Sequence, residues 1–379
     1  MKTEQKRWTE TEGWTPEAIE GLGESAQLVL IFGATPILRE RRLIEEARKA
    51  YPKAHLFGCS TAGEICGTRV SDNSLVVTAV SFEHTHIEGT RVKLNQVGNS
   101  FQAGRHLAQS LSPEGLVHVQ VLSDGLNVNG SDLVRGLTQH LPDNVTVTGG
   151  LAGDSDRFLE TLVFWDNVPD TGAIAALGLY GSRLRVGFGS LGGWDPFGPE
   201  RLITRSEGNV LYELDGRSAL ELYKRYLGEH AKGLPATGLL FPLNLRTKTG
   251  DSGVVRTILS VDEKEQSMTF AGDVPEGAYA RLMKANFDRL VDGAVGAAET
   301  SFKAIGSKSP DLVILISCIG RKLVLRQRVE EEVEGVRDIL GEHPILTGFY
   351  SYGEISPHTP GARCELHNQT MTITMLREE

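Results

Sequence analysis

The chain has 379 residues, 40% of them hydrophobic and 23% charged, with a formal net charge of −10 and a pI near 5.6. That length exceeds one compact core of ordinary size, so two domains are expected. The acidic balance argues against a nucleic-acid footprint or adsorption to an anionic membrane, and no apolar run approaches the ~20 residues that span a bilayer.

Residues 1–25 are polar and rich in glycine and glutamate, and they read as a loosely held arm with a short helix after Thr15-Pro16. The charged start has no apolar stretch behind it, so no secretory signal is expected. Cys59, Cys66, Cys318 and Cys364 form no C-x-x-C pair. Thiols used as small hydrophobes fit a reducing compartment, and the chain reads as cytoplasmic.

Residues 27–33 are a continuous apolar run, which fits a strand covered on both faces. Thr35-Pro36 opens a helix, with proline where its missing N–H costs nothing. Leu43, Ile44, Ala47 and Tyr51 give that helix one apolar face, and Pro52 stops it. A short strand at 55–57 then ends in the turn Gly58-Cys59-Ser60-Thr61-Ala62-Gly63-Glu64-Ile65. Strands at 74–82 and 86–94 follow, then a helix marked by Phe101, Leu107, Ala108 and Leu111.

A second strand–helix–strand unit occupies 116–154 and ends in Gly149-Gly150-Leu151-Ala152-Gly153-Asp154. Strands at 158–165, 172–180 and 183–188 lead into residues 189–198, whose glycines, Trp194 and Phe197 suggest a shaped loop. Ser218-Ala219-Leu220-Glu221 has capping-box spacing and starts a helix that Gly228 ends. Further strands at 239–245, 253–260 and 266–271 precede a long helix from about 283 to 305. The third unit has a strand at 312–319, a helix at 326–340 and the turn Gly348-Phe349-Tyr350-Ser351-Tyr352-Gly353-Glu354-Ile355, and a strand near 371–376 closes the chain. The expected fold class is α/β, mixed sheets with helices packed on them, in two domains built from related units. The expected division is an arm at 1–25 and domains at 26–215 and 216–379.

Several enzyme signatures fail. Gly187–Gly192 has G-x-G-x-x-G spacing, but a proline-bearing loop follows where a dinucleotide site needs a helix. Ser60 and Ser351 lack the G-x-S-x-G spacing of a serine hydrolase. Cys318 precedes Arg321 and Lys322, which would lower its thiol pKa if they approached it; otherwise it is a buried cysteine ending a core strand. The paired G-x-x-x-x-G-E-I turns read equally as ligand-binding loops or as tight turns whose glutamates satisfy backbone N–H groups.

Taken together, the three glycine turns, Leu214-Asp215-Gly216-Arg217-Ser218-Ala219-Leu220-Glu221-Leu222-Tyr223 and Ser317-Cys318-Ile319-Gly320-Arg321 resemble the FIST family over about residues 26–376. The resemblance implies a FIST N-terminal and a FIST C-terminal domain, and a non-catalytic sensor of a small ligand, with amino acids or related metabolites as the proposed class. It also implies output through a separate partner, such as a histidine kinase or another signalling protein. On this reading Arg321 meets a ligand carboxylate with its planar fork of donors, and Glu354 or Glu64 accepts from an amine. Tyr350 and Tyr352 form an apolar wall with hydroxyl tips, Ser351 and Ser60 lie in the turns, and Asn368 and Cys318 complete the candidate set. Glu64 and Glu354 would then line one crevice between the halves. No metal or catalytic residue is expected and no cofactor is required. The alternatives are a haem-binding nitric-oxide sensor, with His118 or His106 as axial ligand, and an enzyme using Cys318 or a carboxylate pair.

Overall fold

The computed structural model describes residues 1–16, 21–166, 168–246, 253–357 and 361–379, so the helix expected after Pro16 lies outside the described residues. The fold is mixed α/β, and three sheets of the same plan form its body. In unit one, Leu28–Gly33 and His55–Ser60 run parallel, Ser74–Ser81 lies antiparallel beside the first, and Lys2–Thr9 lies outside that. Unit two repeats the plan with Leu116–Ser123, Thr146–Leu151, Ala173–Tyr180 and His86–Lys93. Unit three repeats it with Leu312–Cys318, Ile345–Ser351, Met371–Glu378 and Leu184–Leu191. The apolar runs are buried along their whole length in Leu28–Gly33 and Leu312–Cys318, as sheets covered on both faces require.

Each unit lends a strand to a neighbour. Glu64–Cys66, just after unit one's turn, pairs with Ile345–Ser351 of unit three. Gly353–Pro357, after unit three's turn, pairs with Thr146–Leu151 of unit two. Val163–Trp165, downstream of unit two's turn, pairs with His55–Ser60 of unit one. The three turns therefore meet, and their backbones close a ring. The Gly153 N–H donates to the Ser60 carbonyl (3.0 Å), Tyr352 to Leu151 (3.1 Å) and Ala62 to Tyr350 (2.8 Å).

Residues 195–246 and 253–284 form a separate lobe, an eight-stranded sheet with the helix Ala219–Leu227 and its own apolar core around Ile203, Tyr223 and Phe270. The expected division at 215/216 falls within this lobe, between Val210–Leu214 and the helix.

Several expectations differ from what is observed; the strands expected at 158–165 and 239–245, for example, begin only at Val163 and Leu243. The 1–25 segment is not a loose arm at its start, because Lys2–Thr9 pairs with Ser74–Ser81 through all eight residues. Backbone hydrogen bonds hold this strand, so its polar side chains gave no alternating apolar signal. The glycine-rich 189–198 stretch is mostly strand, with only Gly192-Gly193-Trp194 between Leu184–Leu191 and Asp195–Glu207. Gly187 and Gly189 serve close packing, since Cβ atoms there would lie 2.3 Å from the Ser301 carbonyl and 2.7 Å from that of Ala297. The long helix begins at Phe287 and not at 283, because the Asn286 side chain caps it by accepting from the Arg289 N–H.

Candidate functional site

Where the first and second turns face unit three and the lobe lies a cavity of ≈ 630 Å³. Unit one contributes Ala62 and Asp72, unit two Ser155 and Asp156, and the helix Ile319–Leu325 with the turn beyond it contributes Ile319, Lys322, Leu323 and Arg326. The lobe closes the far side with Ala236, Thr237 and Leu240. The position follows from topology, since crevices form where strand ends of neighbouring units converge. The helix presents residues 319, 322 and 323 to the cavity, the i, i+3, i+4 spacing of one helical face, and Arg326 reaches it from the turn that follows.

Lys322 is mostly buried and anchored. Its Nζ donates to the Ala62 carbonyl (2.8 Å), pairs with Asp72 and lies 5.6 Å from the Tyr350 ring centroid, in cation–π range. Arg326 and Asp156 are exposed at the cavity, and neither side chain has an ion-pair partner among the described residues. Arg326 and Ser155 hold left-handed backbone conformations, with φ of 52° and 65°. Non-glycine residues adopt that region at some cost, and such residues concentrate where a site demands a particular backbone path.

The candidates named from sequence lie around and behind this cavity. The Glu64 carboxylate accepts from the Thr61 hydroxyl and from the Ser74 N–H (3.1 Å) and hydroxyl (2.6 Å). Glu354 has the same cage: the Ser351 hydroxyl (2.6 Å) and the Thr370 N–H (3.1 Å) and hydroxyl (2.9 Å). Both are fully buried in their own turns, and neither lines the cavity. Burial pushes their carboxyls up, Glu64 to about 7 and Glu354 to about 8, against the opposing pull of those hydrogen bonds. The shorter second turn substitutes Asp154, which accepts from the N–H groups of Phe158, Leu159 and Glu160 and from the Tyr352 hydroxyl.

Arg321 is fully buried and turned away from the cavity, paired with Glu332 (2.7 Å). Glu332 also accepts from the Tyr350 hydroxyl (2.6 Å) and Ser317 (3.0 Å). Tyr352 stacks on Phe158 and donates to the Ser155 carbonyl (2.8 Å), so it supports the cavity wall from behind. The Ser60 hydroxyl accepts from the Leu162 N–H (2.8 Å). Asn368 bridges body and lobe, donating to the Tyr352 carbonyl (3.1 Å) and accepting from the Thr257 N–H (3.2 Å). Cys318 is buried at the strand end, and burial raises its thiol pKa although Arg321 is near. His118 is buried with both ring nitrogens engaged, Nδ1 by Thr146 (2.7 Å) and Nε2 by Thr148 (3.0 Å), while His106 is exposed on a surface helix.

The cavity-lining Lys322, Arg326, Asp72, Asp156, Ser155 and Thr237 were not singled out as ligand residues from sequence. The helical spacing of Ile319, Lys322 and Leu323 is the one local signal that would have pointed to that wall.

Two family models match the chain, the FIST N domain over residues 27–217 and the FIST C domain over 219–357. An uncharacterized protein of Methanocaldococcus jannaschii is 23% identical over 364 residues, covering 89% of this chain and 67% of the relative. An uncharacterized protein of Mycobacterium tuberculosis is 24% identical over 355 residues, covering 88% of this chain and 87% of the relative. Among solved structures, a chorismatase matches at 9% identity and a TM-score of 0.36 over 98% of both chains. A cyanuric acid hydrolase from A. caulinodans matches at 10% identity and a TM-score of 0.37 over 99% of both. Likenesses that slight carry no argument about activity.

Proposed function

This chain belongs to the FIST family, and from that premise we propose that it senses a small ligand held in the cavity where the three units meet. The observation that supports the reading is the lining. Arg326 and Asp156 bring opposite charges that no described side chain neutralises, beside an apolar wall of Ile319, Leu323, Leu240 and Val329. A zwitterion with an apolar body matches that wall: a carboxylate on the guanidinium fork, an ammonium at Asp156, and the body against the aliphatic side chains. An amino acid or related metabolite has this chemistry. Tyr350 beneath Lys322 and Tyr352 behind Ser155 set the shape of the wall, with Arg321, Glu64, Glu354, Ser351, Ser60, Asn368 and Cys318 holding the elements in place.

On this reading the chain works in the cytoplasm and passes its signal to a separate partner, such as a histidine kinase. Among the described residues, no helix is long and apolar enough to cross a membrane. Neither His118 nor His106 lines the cavity, so its geometry favours a zwitterion over haem.

Thermal shift across the free L-amino acids and a set of apolar dipeptides tests the proposal. At one hundred times Kd, a true ligand stabilises by about 2.7 kcal/mol. Acetylating its amine or amidating its carboxylate abolishes the shift, as do Arg326→Ala and Asp156→Asn. No response from the unmodified protein, or equal responses from the variants, ends the reading.

A further inference from the structure

The chain crosses between body and lobe twice, inward through Gly192-Gly193-Trp194 and outward through Ala285-Asn286 into the helix Phe287–Ala304. Both crossings are tied to one side chain. Arg321 donates through Nη1 to the Gly192 carbonyl (3.0 Å) and through Nη2 to the Leu290 carbonyl (2.6 Å), and Glu332 receives its Nε (3.0 Å) and Nη2 (2.7 Å). The crossings also press on each other. A Cβ at Gly293 would lie 1.6 Å from the Gly192 carbonyl oxygen, and one at Gly193 would lie 2.2 Å from that of Arg289.

Arg321 sits in the short helix Ile319–Leu325, whose other face forms the cavity wall. The lobe supplies the opposite wall through Ala236, Thr237 and Leu240. Elsewhere body and lobe meet through apolar packing, with Leu239, Leu259 and Ala271 in the body's core and Met283 against Leu290 and Leu325, and through buried polar contacts: Gln369 to the Leu239 carbonyl (2.9 Å) and Thr257 (3.2 Å), and Arg256 to the Leu366 carbonyl (3.0 Å). Within that packed contact, the Arg321 clamp is what ties the cavity helix directly to both crossings.

We propose that Arg321 is a positioning residue that couples occupancy of the cavity to the setting of the lobe, by transmitting displacement of the Ile319–Leu325 helix to both chain crossings. The proposal rests on the cavity being the sensing site but not on the identity of its ligand. Anything that pushes the helix away from the lobe wall pulls the guanidinium against two backbone carbonyls that lie outside the cavity. A two-state element biased in this way converts small-molecule binding into a change of surface that a partner can read. The planar fork is essential, because one head group must hold two carbonyls and a carboxylate at fixed angles.

The test fills the cavity covalently. In a Cys66→Ser, Cys364→Ser background, Ala236→Cys is modified with benzyl methanethiosulfonate, and completeness is checked by intact mass. Hydrogen exchange is then compared with and without the adduct. The expected result is a change of tenfold or more at the amides of 192–194 and 287–293, beyond the changes in the cavity wall at 319–326 and 236–240. With Arg321→Lys added, the wall responds and the crossings do not. If that variant fails to fold, Arg321→Met with Glu332→Met replaces it, removing the clamp without stranding a buried charge. Crossings that ignore the adduct, or that respond equally without Arg321, overturn the proposal. Because the adduct needs no natural ligand, this outcome is independent of the zwitterion screen.

Discussion

The Lys322 ammonium occupies the space that a side chain at Gly63 would need: a Cβ there would lie 2.5 Å from Nζ. Gly63 also has φ of +139°, a conformation that residues with a Cβ rarely adopt. The glycine of unit one's turn is thus what lets a lysine from unit three reach the Ala62 carbonyl. Gly63→Ala should destabilise the fold by about 1–3 kcal/mol, combining backbone strain with displacement of the lysine. Urea midpoints measure the first effect, and loss of zwitterion-induced thermal shift measures the second.

The buried turn glutamates give the protein a particular pH dependence. With its carboxyl raised from 4.5 to about 8, Glu354 keeps a proton that the unfolded chain releases, so the native state binds more protons between those values. Stability is then fully present below about pH 4.5 and falls as pH rises towards 8. Glu354→Gln removes this contribution, so its urea midpoint should change less between pH 5 and pH 8 than that of the parent. An equal or steeper decline in the variant contradicts the assignment.

His118 acts in the opposite direction. Burial lowers its pKa from 6.5 to about 4, so the unfolded chain takes up a proton first as pH falls. Its contribution is present above about pH 6.5 and is lost on the way down to 4. His118→Gln should therefore flatten the acid limb between pH 6.5 and 4 while leaving the decline between pH 7 and 8 intact. Chemical denaturation at half-unit pH steps separates the two residues.

The Arg321–Glu332 pair should show the asymmetry of buried charges. Arg321→Ala leaves Glu332 buried without its cation and should cost about 3–5 kcal/mol, whereas replacing both with methionine should cost clearly less. Equal losses in the single and double variants would show that packing, and not the stranded charge, dominates.

Much of the body was legible in the sequence because it is built by repetition. The same order of apolar strand, amphipathic helix, short strand and glycine turn occurs three times, and the structure has a sheet for each copy. Even the shorter second turn, ending in Asp154 where the others have glutamate, reads through. The side of a helix was harder to read. Arg321 and Lys322 are neighbours in sequence, yet about 100° of helical rotation separates a clamp inside the fold from a residue at the cavity. Arginine attracts attention as a carboxylate binder, but which neighbour faces the cavity depends on strands that pair far away in sequence. The strand loans were equally hidden. Glu64–Cys66 is too short to show periodicity, and its partner strand begins at Ile345.

Those loans have a consequence for synthesis. Unit one needs Val163–Trp165, unit two needs Gly353–Pro357, and unit three needs Glu64–Cys66. The first two sheets are written early in the chain, yet the second lacks its borrowed strand until residue 357 has left the ribosome. At translation rates of about 5–20 residues per second, a nascent chain waits tens of seconds with that edge bare. A ribosome stalled after the FIST N domain therefore carries an unfinished sheet whose open edge is a pairing hazard. For this protein, completion of the last strands is also the moment at which the earlier part becomes safe to release.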